Sequence, residues 1–208
     1  MGNPRTENQI VRMLRDTIQE KKMPLLKKTF VHTNLATKKF HDIWRVWWKT
    51  EPPPRLEVDM ILVFEDEDPM NVFLVVVEVK YITSKIRKFY EGLQQILSFG
   101  LFGFDSLVLW HIFPEEMGNN FIDGFVKSVQ EVIQGFELPV VYFATKLTEE
   151  CTFEFFSPQE LYSSTRVDAE ILLRHMRNFC DRKRNPLLDK DEIEKRRRML
   201  KTVLKIPV

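Results

Sequence analysis

Two stretches, RLEVDMILVFE at residues 55–65 and NVFLVVVEVKYI at residues 71–82, decide the fold of this 208-residue chain. Both are rich in β-branched and aromatic residues, and the DEDPMN segment between them has turn chemistry, so together they predict a β-hairpin. The second stretch is apolar at nearly every position, which is typical of a central strand buried on both faces. The proline run at 52–54 ends whatever element precedes the hairpin.

Helical and strand periods continue on both sides of the hairpin. Apolar spacing predicts helices from Thr6 to about Lys22 and from Ser84 to Phe99. The remaining pattern predicts strands at 105–113 and 138–146, an edge strand at 151–156, and helices at 121–136, 168–184 and 189–204. This order indicates an α/β domain with a mixed β-sheet flanked by helices over residues 1–160. Residues 161–208 are expected to form a C-terminal helical extension, packed on or appended to the same domain.

Composition excludes several classes of protein. The chain is 44% hydrophobic and 29% charged, close to the globular norm, so we expect one soluble domain. Its apolar runs are shorter than the roughly 20 residues of a membrane helix, and its N-terminal segment lacks an apolar signal core, which favours the cytoplasm. Two cysteines are too few for a zinc site or a four-cysteine cluster. No nucleotide-binding fingerprint occurs, so no nucleotide cofactor is expected.

The segment EVK carries the candidate chemistry. Side chains alternate along a strand, so Glu78 and Lys80 point the same way, and the hairpin can bring Asp59 beside Glu78. Buried charges cost several kcal/mol each unless they are paired or bind a cation, and Mg²⁺ prefers carboxylate oxygens. The alternative is a structural Glu78–Lys80 ion pair at a strand end, with Asp59 beyond the sheet.

These residues resemble the PD-(D/E)xK nuclease superfamily, which has a restriction-endonuclease-like core. Its pattern is an aspartate on one strand, (D/E)xK on the next and often a glutamine on the following helix. Here the pattern is VD at 58–59, EVK at 78–80 and GLQQILSF at 92–99. The match covers about half the chain, from Glu7 to Phe113, and Val58 stands where the family has a proline.

The resemblance implies a role for each matching residue. Asp59 and Glu78 would be ligands of Mg²⁺, for which Mn²⁺ can substitute, with the backbone carbonyl of Val79 as a third ligand. Lys80 would orient or activate the attacking water and offset charge on the phosphate. The remaining assignments are Gln95 as the helical glutamine, rather than Gln94, and Glu7 as the acidic residue that some branches place on the first helix. Glu57 is left open between an extra ligand and a surface acid.

The predicted function is metal-dependent hydrolysis of phosphodiester bonds in DNA, with endonucleolytic and exonucleolytic action both open. The candidate DNA contacts are basic residues in the N-terminal part and the last helix: Lys38, Arg45, Arg87, Arg196 and Arg197. The partner is therefore DNA, and a homodimer is left open. The alternative function is a catalytically silent nucleic-acid-binding or protein-interaction module on the same fold.

The tryptophans and the histidines each have a simpler interpretation than a functional site. Trp44, Trp47 and Trp48 lie at helical spacing, which fits a core stripe, although a base-stacking platform beside Arg45 is the alternative. The four histidines show no paired metal-ligand spacing, so we interpret each as a structural or a surface residue.

Overall fold

The computed structural model describes residues 6–20, 26–34, 37–49, 57–66, 68, 71–83, 88–148 and 151–206. The predicted nucleic-acid contact Arg87 and the start of the predicted helix at Ser84 lie outside these residues.

In the described part of the chain, seven strands form one sheet in the order in which they occur in the sequence. They are β1 (Leu26–Asn34), β2 (Glu57–Glu65), β3 (Val72–Tyr81), β4 (Ser106–Pro114), β5 (Val140–Leu147), β6 (Phe153–Ser157) and β7 (Ser163–Val167). Neighbouring strands run antiparallel within the first three strands, and the same holds within the last three. Strands β3, β4 and β5 run parallel, which makes the sheet mixed, as predicted.

Helices cover both faces of the sheet. They are α1 (Glu7–Glu20), α2 (Lys38–Trp47), α3 (Lys88–Phe99), α4 (Asn119–Gly135), α5 (Ala169–Arg182) and α6 (Asp191–Leu204). Helices α1 and α5 pack on one side, which we call the α1 face. Helices α2, α3, α4 and α6 pack on the other, which we call the α3 face. The parallel strands are joined by the crossover helices α3 and α4, and both of these helices bury apolar residues against the sheet.

Strand β3 lies in the middle of this architecture, and all ten of its residues are buried. Its odd-numbered residues from Phe73 to Tyr81 belong to the core of the α1 face, whereas Val72, Leu74 and Val76 belong to the core of the α3 face. The continuous apolar run therefore predicted a two-sided central strand correctly, because neither face of this strand meets water.

Three elements were not predicted from the sequence. Strand β1 contains adjacent lysines and lies at the edge of the sheet. Its sequence therefore lacks the regular alternation of apolar and polar residues by which a strand is predicted. For helix α2, the sequence indicated only the helical spacing of its tryptophans and gave no bounds. Strand β7 pairs with β6, so residues 151–156 do not form the edge of the sheet as predicted.

The C-terminal residues are part of the same packed structure. Besides β7, they supply α5 to the α1 face and α6 to the α3 face. Helix α6 is held by Arg197, whose guanidinium lies 2.8 Å from the Asp105 carboxylate and donates to the backbone carbonyls of Gly103 and Val72. Among the helices described, none combines the length and the apolar character needed to cross a membrane.

Candidate functional site

Asp59 lies where the regular alternation of β2 breaks. Val58 packs in the core of the α3 face and Met60 in the core of the α1 face, although residues two apart on a regular strand share a face. Met60 pairs with Val77, so Asp59 and Glu78 are the next residues of their strands beyond that pair. The Asp59 carboxylate reaches across to β3 and accepts a hydrogen bond of 2.9 Å from the Val79 N–H.

Glu78 and Lys80 lie on the side of β3 opposite Val77 and Val79, as the alternation predicted. Their charged atoms meet at 2.5 Å, and the two residues are only 1% and 7% exposed. Helix α3 covers this pair, and it can approach closely because Gly92 faces it: a Cβ at that position would lie 3.1 Å from Lys80 Cγ. The glycine thus makes room for the lysine stem.

Glu7 joins the cluster from α1. One of its carboxylate oxygens lies 3.6 Å from Lys80 Nζ, and the other accepts a hydrogen bond of 3.3 Å from the Tyr81 N–H. Helix α1 covers one face of the sheet and α3 the other, and Lys80 contacts residues of both helices. Its ammonium therefore lies near the end of β3, where side chains from both faces reach it. The structure therefore brings Glu7, Asp59, Glu78 and Lys80 together.

Burial dominates the electrostatics of this cluster. It raises the pKa of Glu78 from 4.5 to about 7, with the Asp59 charge adding to the effect and Lys80 opposing it. Burial also raises the pKa of Asp59, against the hydrogen bond from Val79 and the charge of Lys80. For Lys80, burial lowers the pKa, but the attraction of Glu78, Glu7 and Asp59 outweighs burial and raises it. Lys80 is therefore a stable ammonium in this site.

Two histidines that sequence analysis treated as ordinary lie beside the cluster. His32 is exposed on β1, and its interaction with Asp59 opposes part of the rise that burial causes in the Asp59 pKa. His111 is fully buried on β4 in register with Lys80, and its Nδ1 lies 3.0 Å from the Tyr142 hydroxyl. Burial, followed by the charge of Lys80, lowers the pKa of His111 to about 3, so its ring is neutral. Neither position carried a sequence signal, because each depends on the register between strands.

The helical glutamines can be placed by their angle to Gly92. Gln95 lies about 60° from Gly92 around the helix axis, whereas Gln94 lies about 160° away. Gly92 packs on Lys80, so Gln95 is on the side of α3 closer to the site. Both glutamine side chains are exposed. Val79 is buried with its side chain on the α1 face, and Glu57 is exposed on β2.

The predicted DNA contacts fall into two groups. Lys38 and Arg45 are exposed on α2. Arg196 instead pairs with Glu192 and lies over the rings of Trp44 and Trp48. Arg197 is committed to Asp105 and two backbone carbonyls. Both guanidinium groups thus make contacts within the fold, and the assignment of Arg196 and Arg197 as DNA contacts stays a prediction.

The tryptophan pattern is resolved in favour of the core. Trp44 and Trp48 are buried and stack at 4.4 Å between ring centroids, and Trp44 also lies near Phe102. Their faces are covered by the protein itself, so these two rings are not a base-stacking platform. The side chain of Trp47 lies outside the described part of the chain.

The acidic side chains at the end of β3 offer oxygen atoms, the type of ligand that small divalent cations take. Among the described residues, no three or more His, Cys, Asp or Glu side chains form a group, or cage, that could hold a metal ion. Mg²⁺ needs no such cage, because it is usually bound through one or two carboxylates and retains several waters. Asp59 and Glu78 are suitable carboxylates, and their raised pKa values reflect negative charge that is poorly solvated.

No family model, curated protein or solved structure matches this chain.

Proposed function

We propose that this chain is a metal-dependent nuclease of the PD-(D/E)xK type, which hydrolyses phosphodiester bonds in DNA. The observation that carries this proposal is the cluster of Glu7, Asp59 and Glu78 around Lys80. Three carboxylates and one ammonium leave an excess of negative charge when all are ionised, and Glu78 is almost completely removed from water. A divalent cation offsets such an excess and would repay part of the cost of burying it.

The order of elements supports the same proposal. Asp59 is on β2, Glu78 and Lys80 are on the adjacent β3, and Gln95 is on α3, the next helix described along the chain. This is the order of the PD-(D/E)xK pattern, and it includes an acidic residue on the first helix. A restriction-endonuclease-like core is therefore our proposal for the fold of residues 7–113.

The roles of the residues follow from their charge and position. Asp59 and Glu78 would hold the cation, with the Val79 carbonyl as a third ligand and Glu7 as a further acid. A bound Mg²⁺ supplies Lewis-acid polarisation of the phosphate and a water of lowered pKa. Lys80 is better suited to electrostatic work than to proton abstraction, because its pKa is raised. Its ammonium would orient the water and offset charge that develops on the phosphate.

Cleavage of DNA by the full chain tests this proposal. Linear duplex, single-stranded and branched DNA are incubated with Mg²⁺, with Mn²⁺ or with a chelator. We expect cleavage that requires the metal and falls by more than about a hundredfold in Glu78→Gln, since even outer-shell changes cost roughly 10–100-fold. Glu154→Gln, which removes a half-buried strand carboxylate on β6, is the matched control and should retain activity. Metal-independent cleavage, no cleavage of any substrate, or full activity of Glu78→Gln would overturn the proposal.

A further inference from the structure

His32 occupies an unusual position in β1. Val31 pairs with Met60 and Thr33 with Val58, so His32 lies opposite Asp59. Its backbone has a φ of 47°, in the left-handed region that residues other than glycine rarely adopt, least of all within a strand. The alternation of β2 breaks at Asp59, directly across from it. Both strands are therefore irregular at the same level, beside the acidic cluster.

The core does not explain this irregularity. The His32 side chain is exposed, whereas its neighbours Phe30 and Val31 pack against the cores of opposite faces. A local departure from strand geometry re-aims a side chain, and such departures cluster beside functional sites. Here the departure presents an imidazole to solvent next to the Asp59 carboxylate.

The edge of the sheet beside His32 carries exposed polar and basic side chains. Strand β1 is the outermost strand of the order β1 to β7, so within the described structure no other strand lies beyond His32. The exposed Lys38 begins α2 shortly after β1 ends. His32 and Lys38 thus present exposed nitrogen donors on this edge strand and shortly after it, and phosphate oxygens accept hydrogen bonds from such groups.

We infer that His32 is a substrate-binding residue that donates an imidazole N–H to a phosphate oxygen of the nucleic-acid strand held at the Asp59 and Glu78 site. This inference rests on the proposed nuclease function and names a contact that positions its substrate. Phosphate is favoured over the metal as the partner of His32, because Mg²⁺ selects oxygen ligands and imidazole suits softer transition metals. An N–H donor beside a carboxylate-bound cation is complementary to a phosphodiester, because the phosphodiester is negatively charged and its oxygens accept hydrogen bonds.

The backbone conformation of His32 determines which variants are informative. His32→Gly removes the imidazole and tolerates the left-handed backbone, so its effect reports on the side chain rather than on strain. His32→Asn also tolerates this region and restores an N–H donor. Glu137→Gly is the matched control: Glu137 is exposed, has a φ of 50° and lies between α4 and β5, outside the site.

Steady-state cleavage of labelled duplex DNA in Mg²⁺ tests the inference. For His32→Gly we expect KM to rise roughly tenfold or more, as for loss of one hydrogen bond to a charged group, with little change in kcat or in the Mg²⁺ concentration for half activity. His32→Asn should recover part of the loss, and Glu137→Gly should behave as wild type. An unchanged KM, or a change only in the Mg²⁺ requirement, would overturn the inference.

Binding separates this inference from the proposed function. Affinity for the same labelled duplex is measured in the presence of a chelator, so that no cleavage is needed. A roughly tenfold loss of affinity in His32→Gly, with wild type that never cleaves, would support the phosphate contact and reject the nuclease. Cleavage by wild type with equal affinity and KM in His32→Gly would support the nuclease and reject the contact.

Discussion

The Asp59 carboxylate accepts a 2.9 Å hydrogen bond from the N–H of Val79, the residue between Glu78 and Lys80. This bond joins the irregular point of β2 to the charged segment of β3, beyond the last regular pair of the two strands. Asp59 thus has two separable roles. Its carboxylate accepts a hydrogen bond that ties the strands together, and it places a negative charge beside Glu78. The charge is the property that the proposed chemistry requires.

Substitution of Asp59 separates these two properties. Asp59→Asn retains an acceptor for the Val79 N–H but removes the charge, so we expect near-normal stability together with loss of metal binding and cleavage. Asp59→Ala also leaves the Val79 N–H without this partner and should lower the free energy of unfolding by about 1 kcal/mol relative to Asp59→Asn. Urea unfolding and calorimetric titration with Mg²⁺ measure the two effects. Equal Mg²⁺ affinity in Asp59→Asn and wild type would contradict the assignment.

The raised pKa of Glu78 predicts a pH-dependent loss of stability. The folded protein holds this proton up to a pH of about 7, whereas the unfolded chain releases it near 4.5. Ionisation therefore disfavours the folded state, and its cost grows as pH rises from about 4.5 to about 7, reaching about 3 kcal/mol. Without metal, wild type should lose stability over this window relative to Glu78→Gln, as measured by urea unfolding in a chelator.

Magnesium provides the control for that pH dependence. A cation bound to Glu78 favours the ionised carboxylate, so saturating Mg²⁺ should reduce the loss of stability in wild type and leave Glu78→Gln little changed. A difference between the two proteins that stays constant from pH 4.5 to 7 in the chelator would show that Glu78 titrates normally.

Gly92 is predicted to matter more for activity than for stability. A Cβ there would lie 2.9 Å from Leu109 Cδ1 and 3.1 Å from Lys80 Cγ, so Gly92→Ala must displace the lysine stem or the leucine. The higher helix propensity of alanine, up to about 1 kcal/mol, offsets part of the crowding. We expect cleavage to fall by about tenfold or more while the unfolding midpoint changes little, since small displacements of a catalytic group are costly.

Gly124→Ala is the matched change for Gly92→Ala. Gly124 also lies within a helix, α4, but a Cβ there would have no neighbour within 4 Å. This variant should gain up to about 1 kcal/mol of stability from helix propensity and keep full activity. Equal activity of the two variants would show that the Lys80 position tolerates displacement.

Arg197 is predicted to stabilise the fold rather than bind DNA. Removing it leaves the buried Asp105 carboxylate without its 2.8 Å partner and takes away the hydrogen bonds that Arg197 donates to two carbonyls. Arg197→Ala should therefore lower the free energy of unfolding by about 3 kcal/mol. Arg198→Ala, which removes a side chain 61% exposed and paired with Glu194, should change it by less than about 0.5 kcal/mol. Similar stability of the two variants in urea unfolding would argue against this role.

Lys38 and Arg45 are exposed candidates for contacts to the DNA backbone. Both are exposed on α2, so neutralising them should not disturb the core. If each contacts one phosphate, the double variant Lys38→Ala, Arg45→Ala should reduce the slope of log affinity against log salt by about 2. The control replaces Lys127 and Arg174, exposed on α4 and α5, with alanine. A slope that falls equally in both double variants would indicate a loss of general charge rather than of specific contacts.

Local sequence determined a large part of this structure. Alternation within β3 put Glu78 and Lys80 on the same side of the strand, and the turn between the two apolar runs made β2 its neighbour. Helices α1, α3, α4 and α5 were predicted from apolar spacing and α6 as a last charged helix, all close to their observed bounds. These features depend on residues a few positions apart, so periodicity and turn chemistry were sufficient to predict them.

The rest of the candidate site was decided by contacts between distant parts of the chain. Pairing of β1 with β2 places His32 opposite Asp59, and the parallel register of β3 and β4 places His111 beside Lys80. The docking of α6 commits Arg197 to Asp105, although its sequence context suggested a free basic run. Strand register and helix docking are set by which buried surfaces fit together across the whole fold, and no local pattern encodes that choice.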